Sequence, residues 1–307
     1  MAEISVVILT YNEEIHIARA IQSVKSFAAE VIVVDSYSNY RTTEIAESLG
    51  AKIFFNRFVN QANQFQWAMD HCEIRSPWIM RLDADEIIYP DLSEEINFHL
   101  PQLDESISGI NLKRRHIFMN RWIKHGGRYP LLMLRIFRKG KGTVEDRWMD
   151  EHIQVSEGRT ITFTGGFADH NLFDLSYFID KHNRYATREA IEIINSRHEL
   201  FSREVLSAEG SSGQASFKRW LKENAYNKVP FTVSSTAYFL WRYLIQGGFL
   251  DGREGLTYHF LQGYWYRFLV GAKVVELEAA IAHLDEKGHK IDELSRLTGH
   301  NLAAGKL

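Results

Sequence analysis

The sequence predicts an α/β protein: a mostly parallel, doubly wound sheet in its first half and an aromatic-rich helical region after it. Three observations carry that reading. Four short β-branched runs alternate with helical stretches inside the first 90 residues. Polar side chains gather where those runs end, and that edge is where open α/β sheets bind ligands. From about residue 175 the apolar period turns helical, and Trp, Tyr and Phe cluster in short runs over 238–268.

The elements follow in order. Ile4 to Leu9 reads as a strand buried on both faces, because its apolar run is continuous rather than alternating. Thr10-Tyr11-Asn12-Glu13 is a polar turn, and Ile15, Ile17, Ala18, Ile21 and Val24 recur at helical spacing. Val31 to Val34 is a second strand ending on Asp35. Thr43 to Leu49 is a second helix, with Gly50 placed just past it as a C-terminal cap. Lys52 to Phe55 and Asn63 to Met69 repeat the pattern. Trp78 to Leu82 ends on Asp83-Ala84-Asp85-Glu86. The expected division is a catalytic domain over 1–175, split into 1–90 and 91–175, and a helical region over 176–302.

Composition removes several classes of function. Thirty-six Lys and Arg against 39 Asp and Glu give a net charge of −3, so no global basic field exists for nucleic acid. A single cysteine, Cys72, forbids an internal disulfide framework and a zinc ribbon, and suits a reducing compartment. Met1 to Ile4 enters a strand at once without a signal-peptide pattern, and no run of about 18 apolar residues is present. The expected place is the cytoplasm, peripheral to the inner face of the cytoplasmic membrane.

An Asp-x-Asp is a weak signal alone, and a solvated turn is the bland reading. Placed after a buried strand, however, Asp83 and Asp85 repel and call for a cation or hydrogen-bond donors. Carboxylates that leave room for water and phosphate oxygens suit Mg²⁺ or Mn²⁺.

Taken together, Ile8-Leu9-Thr10-Tyr11-Asn12-Glu13-Glu14, Val33-Val34-Asp35-Ser36-Tyr37-Ser38 and Arg81-Leu82-Asp83-Ala84-Asp85-Glu86 resemble the nucleotide-sugar half of family 2 glycosyltransferases. These are inverting enzymes with the GT-A fold. His170 and Gly248-Phe249-Leu250-Asp251-Gly252-Arg253-Glu254-Gly255 resemble a subgroup, including β-glucosyltransferases, that builds lipopolysaccharide cores and surface glycans. The resemblance implies that Thr10, Tyr11 and Glu13 line base and ribose, and that Asp35 accepts from the base. It implies that Asp83 and Asp85 hold ribose and metal, with His170 the last metal or diphosphate ligand. Two departures stand out. Ser38-Asn39-Tyr40 lacks an Asp found there in the family, which reads as a helix cap. Phe65 occupies a place often held by a basic residue, leaving Gln64 as the polar contact.

An inverting transfer needs a carboxylate to take the acceptor hydroxyl's proton. Two acidic pairs qualify, Glu145-Asp146 and Asp150-Glu151. The subgroup's pattern favours Glu151, then Asp150, with Glu145-Asp146 a live competitor. Lys113-Arg114-Arg115-His116 and Lys124-His125 form a local basic patch, read either as a solvated strand edge or as attraction for an anionic acceptor. Arg135 to Gly142 continues it into a turn.

Beyond residue 175, Ala208 to Gln214 is small and polar, a candidate loop. Tyr238 to Ile245 and Tyr264 to Leu269 read as two short aromatic helices, suited to a membrane interface, to packing on the catalytic domain or to a second subunit. Gln214 stands too far from Arg219-Trp220 to make the Gln-x-x-Arg-Trp motif of processive members, so a single sugar transfer is expected. The partners expected are a nucleotide-sugar donor, probed first as UDP-linked, and a saccharide or lipid-linked saccharide acceptor. A nucleotidylyltransferase fits less well, since no glycine-rich basic loop follows the first strand. A catalytically dead nucleotide-sugar binder or scaffold is the rival from another class.

Overall fold

The computed structural model describes residues 2–144, 152–201 and 229–302. These fall into two compact units. One holds residues up to Lys124 and Arg128–Leu172, and the other holds His125–Gly127 and everything from Phe173 onward.

The first unit alternates strand and helix: β1 (Ile4–Thr10), α1 (Ile17–Val24), β2 (Glu30–Asp35), α2 (Thr42–Ser48), β3 (Lys52–Phe55), α3 (Gln61–His71) and β4 (Trp78–Asp83). Two residues separate β4 from β5 (Glu86–Ile88), and α4 (Pro90–His99) follows. Then come β6 (Ile107–Phe118), β7 (Arg121–Ile123), β8 (Leu131–Arg138), β9 (Gly142–Val144), β10 (Ile153–Val155) and β11 (Arg159–His170). The main sheet runs β3-β2-β1-β4-β8-β6-β11-β5, with β7 on β6; β9 and β10 form a separate ribbon.

Its first four strands are parallel. β8 lies antiparallel between β4 and β6, β11 is parallel to β6, and β5 is antiparallel to β11. Six strands therefore point the same way. Their carboxyl ends, at Thr10, Asp35, Phe55, Asp83, Phe118 and His170, share one edge of the sheet. This mixed sheet with helices on its faces is the GT-A arrangement that the resemblance implies.

The continuous apolar runs have the expected cause. Ile4, Val6 and Ile8 pack with α1 residues Ile17, Ile21 and Val24 and α4 residues Leu92 and Ile96 on one face. Val7, Ile32 and Val34 pack with Phe65, Ala68 and Phe137 on the other. Successive side chains of a strand point to opposite faces, so a sheet covered on both sides must be apolar at every step. Gly50 takes a left-handed φ of 86° just beyond α2, as a cap there requires.

In the second unit, α5 (Leu175–His198) starts on Asp174, whose side chain accepts from Tyr177 N at 2.8 Å. α6 (Phe231–Leu240) runs into a π turn (Trp241–Ile245). After a short 3₁₀ turn, α7 (Gly252–Tyr258), a π stretch (His259–Trp265) and α8 (Tyr266–Ile281) form one unbroken helical run. α9 (Lys287–Thr298) follows and buries Leu294. The short helix expected over Tyr264 to Leu269 is thus the middle of a long one. Its rings turn inward: Phe268 meets Phe231 at 5.0 Å, and Tyr264 meets Phe239 at 6.3 Å. The reason is packing, since α6 needs an apolar partner and these rings supply it. Among the described residues no helix is long and apolar enough to cross a membrane. The loop expected over Ala208 to Gln214, with Arg219 and Trp220, lies outside the described residues.

Candidate functional site

The carboxyl edge is laced together before any ligand is considered. Pairing of β1 with β2 sets Thr10 beside Asp35, and pairing with β4 sets Leu9 beside Asp83. Asp35 is fully buried. Its carboxylate accepts from Thr10 Oγ1 at 2.7 Å, and from Ser38 Oγ and Ser38 N, each at 2.6 Å. Asn12 and Tyr37 take left-handed φ values of 58° and 62°, bending the two loops toward each other. Asn12 N then donates to Ser38 Oγ, and Asn39 N donates to Asn12 Oδ1. The helix start that lacks the family's Asp has Arg41 at its N-cap and makes no side-chain cap bond. Thr42 is buried there and accepts from Glu13 N at 2.9 Å.

Aromatic rings rim this edge. Tyr11 is 54% exposed, and Tyr37 stacks on Phe55 with centroids 5.6 Å apart. An exposed ring pair offers a flat heterocycle a place to stack. Sequence reading missed Phe55 and Tyr37 in this role because both look like ordinary loop and strand aromatics.

Glu13 faces inward rather than outward. Leu172 N donates to His16 Nε2 at 2.8 Å, which leaves the His16 proton on Nδ1, and that nitrogen donates to Glu13 Oε2 at 2.5 Å. This chain ties the loop after β1 to the end of β11. Beside it, Arg19 on α1 donates to the His170 carbonyl at 2.8 Å and to His170 Nδ1 at 3.3 Å. An arginine can only donate, so Nδ1 is the acceptor and Nε2 carries the ring proton, which reaches Asn120 Oδ1 at 3.1 Å. Asn120 sits in a two-residue turn between β6 and β7 where both Met119 and Asn120 have positive φ. Burial, then the Arg19 guanidinium, hold the His170 imidazolium below its ordinary pKa.

The two aspartates of the Asp-x-Asp differ sharply. Asp83 accepts from Arg81 Nε at 3.4 Å on one oxygen and from Arg135 Nη2 at 3.2 Å on the other. Arg135 Nη2 also donates to Glu86 Oε1 at 2.5 Å, and Glu86 Oε2 accepts from Asp83 N at 2.9 Å. Burial opposes ionisation of Asp83, but the Arg135 and Arg81 guanidiniums outweigh it and hold its acid at about 2. Glu86 is buried more deeply, and burial pushes its acid up despite Arg135. Asp85, like Asp83, lies partly open, but its partners differ. His170 N donates to the Asp85 carbonyl at 2.9 Å, and Asn171 Nδ2 donates to Asp85 Oδ2 at 3.0 Å.

Asp85 and His170 are therefore neighbours, and this is the pair the sequence proposed for a metal. A carboxylate and an imidazole nitrogen are donors that fit Mn²⁺ or Mg²⁺, whose other positions suit water and phosphate oxygens, provided Arg19 releases His170 Nδ1, the ring's one unprotonated nitrogen. Among the described residues no three His, Cys, Asp or Glu side chains group to hold an ion by themselves.

Gln64, proposed as a diphosphate contact, is buried and fully engaged. It accepts from Asn56 Nδ2 at 2.8 Å and donates to Ser36 Oγ at 3.0 Å. Phe65 sits in the core with Arg81 over its ring at 5.6 Å. The basic patch is largely paired within its own unit: Arg114 and His116 with Asp169, and Arg115 with Asp91. The run from Arg135 leads into a turn after Arg138, and Arg135 itself is a buried member of β8. A lone charge in an apolar strand was the signal available. Arg81, alone among the apolar residues Trp78 to Leu82, carried the same signal, whereas Arg19 and His16 did not, because helix positions with mixed neighbours do not reveal their facing. Glu145, Asp146, Asp150 and Glu151, the candidate bases, lie outside the described residues.

Comparison with known proteins adds the following. The model of the family described as "Glycosyl transferase family 2" matches residues 5–162. An uncharacterized glycosyltransferase of Rickettsia bellii is 45% identical over 96 residues, 31% of this chain. The chain spans about a third, 32%, of that relative's length. The lipopolysaccharide core biosynthesis glycosyltransferase LpsC of Rhizobium meliloti is 25% identical over 282 residues, covering 90% of this chain and 93% of LpsC. Among solved structures, glucosyl-3-phosphoglycerate synthase from Mycobacterium tuberculosis in complex with Mn²⁺, UDP and glucosyl-3-phosphoglycerate is 23% identical. It covers 37% of this chain and 43% of that one, with a TM-score of 0.31.

Proposed function

Because the chain belongs to glycosyl transferase family 2, we propose that it transfers a single hexose, with inversion, from a UDP-sugar to a lipid-linked or lipopolysaccharide-type saccharide. The observation that carries this reading is the convergence of Thr10, Asp35, Asp83, Asp85 and His170 at one carboxyl edge, with exposed rings beside them. A nucleotide base would stack on the Tyr11 and Tyr37–Phe55 rim, and the loops fixed by Asp35 and Glu13 would present their backbone groups to base and ribose. Asp83, held ionised by two arginines, would accept from a ribose hydroxyl. The similarity to LpsC over nine-tenths of the chain supports a lipopolysaccharide-type acceptor, met at the inner face of the cytoplasmic membrane.

Asp85 and His170 would hold Mn²⁺ or Mg²⁺ when donor binds, and the ion supplies charge neutralisation for the departing diphosphate. Arg19, beside both, adds a second positive charge on that side. Proton removal from the acceptor falls to Glu151, with Asp150, Glu145 and Asp146 as the competitors.

The test is titration with UDP-glucose, UDP-galactose, UDP-N-acetylglucosamine and GDP-mannose, with and without Mn²⁺, following both binding and nucleotide release. Metal-dependent binding of one donor with slow nucleotide release is the expected result. Binding with no release, even when lipid extracts supply acceptor, would establish a dead binder instead. No binding of any donor overturns the proposal.

A further inference from the structure

The second unit carries a surface its own packing does not use. Along α6 and the π turn, Phe239 stacks on Tyr243 at 5.4 Å and meets Phe260 at 6.2 Å, so one side of this helix is committed to its unit. Leu240, Trp241, Leu244 and Ile245 lie on another side, at steps of one and four residues. Gly247, at a left-handed φ of 71°, reverses the chain, and Phe249 and Leu250 follow at once. Ile245 is 68% exposed and the other five between 45% and 56%. The result is one apolar tip within eleven residues of chain.

Charge is absent from it. Between Val229 and Gly252 the only charged residues are Arg242 and Asp251, and both are buried. Arg242 Nε donates to the Gly126 carbonyl at 2.9 Å, and Asp251 accepts from His125 N at 2.8 Å. The sequence leading into the tip, 217–228, is by contrast basic: Lys218, Arg219, Lys222 and Lys228 against Glu223.

We propose that this tip (Leu240, Trp241, Leu244, Ile245, Phe249 and Leu250) inserts into the interface of a phospholipid bilayer bearing anionic headgroups. A second copy of the chain is the poorer occupant. Six half-exposed side chains offer on the order of 500 Å², against the ~800 Å² per partner of a standard interface. A protein interface also surrounds its apolar centre with charged groups, and the segment Val229–Gly252 exposes none. A bilayer interface needs none: aliphatic tips enter the acyl boundary, the Trp ring sits at headgroup depth, and the Lys and Arg excess in the sequence 217–228 is of the sign that anionic lipid attracts. With α6 only ten residues long, the element lies in the interface rather than crossing it.

Co-sedimentation of the full chain with phosphatidylcholine–phosphatidylglycerol vesicles (7:3) tests this. Wild type should pellet with the vesicles. Leu244→Glu/Ile245→Glu should lower the partition coefficient at least tenfold while the donor-hydrolysis rate in solution stays unchanged. Ile245→Ser/Leu250→Ser should act the same way and guards against misfolding of the charged variant. Brominated phosphatidylcholine should quench wild-type Trp emission more than that of Trp241→Phe. Wild type left in the supernatant at vesicle excess overturns the proposal, as does unchanged binding by both double variants or equal quenching in Trp241→Phe. A wild-type dimer that both double variants dissociate overturns it in favour of a second copy. Failure to bind vesicles leaves the donor chemistry standing, since donor hydrolysis is read without lipid.

Discussion

At Asp83 both carboxylate oxygens are taken by guanidiniums, whereas two residues on Asp85 accepts from the neutral side-chain amide of Asn171. The two acids should therefore fail differently. Asp85→Ala should lower turnover by about 100-fold or more, the scale of losing one electrostatic contact to a transition state, and leave the urea midpoint nearly unmoved. Normal turnover in that variant removes Asp85 from the metal site. His170 supplies the pH dependence. Its acid is pushed below the usual value of about 6.5, so the ring is neutral at pH 7 and Nδ1 can ligate once Arg19 releases it. As pH falls through the lowered value, protonation blocks the nitrogen and kcat/KM should drop. Stability moves the same way: the ring is neutral in both states above about 6.5, and below it the unfolded chain takes the proton first, which favours unfolding. A kcat/KM profile flat from pH 7 to 5 would exclude His170 as a ligand.

Elements carry the next level of constraint. Arg135 on β8 pairs with both Glu86 and Asp83, and Arg81 pairs with Asp83 as well. Arg135→Met leaves two carboxyl groups without it in a buried site, and should cost about 3–5 kcal/mol in urea unfolding. Pairing it with Glu86→Gln should recover part of that. Where α4 crosses β11, a Cβ on Gly165 would lie 2.6 Å from Leu92 Cα and 2.7 Å from Leu92 N. Backbone cannot step aside as a side chain can, so Gly165→Ala should destabilise by roughly 1–3 kcal/mol. The same level shows what sequence reveals. β1 to β4 and the polar clusters at their ends were legible because a covered parallel strand must be apolar throughout and a ligand edge must not be. The partners of those clusters were not. Arg135 is 52 residues from Asp83, and Leu172 is 156 residues from His16, and no local pattern encodes such distances. Tyr264 and Phe268 looked like interfacial rings because an aromatic run reads alike whether it meets lipid or Phe231 and Phe239.

For the molecule as a whole, ligand and fold should be coupled. UDP with Mn²⁺ at 100 times its Kd should add about 2.7 kcal/mol to unfolding, and more than either alone, read as a rise in Tm. No rise with the pair would contradict a shared site. The sheet order has a further consequence, for synthesis. Every motif that marks the donor half lies within the first 90 residues, yet β4 needs β8 at its side and β5 needs β11. Asp85 waits for Asn171, and His16 waits for Leu172. A ribosome adding about 5–20 residues per second spends several seconds between Glu86 and Leu172. Through that interval the emerging chain displays unpaired strand edges and has no place to seat a sugar nucleotide, so donor cannot help it fold. Early protection has to come from chaperones or from speed, and a stalled message truncated near residue 90 would yield an aggregating fragment rather than a small nucleotide-binding domain.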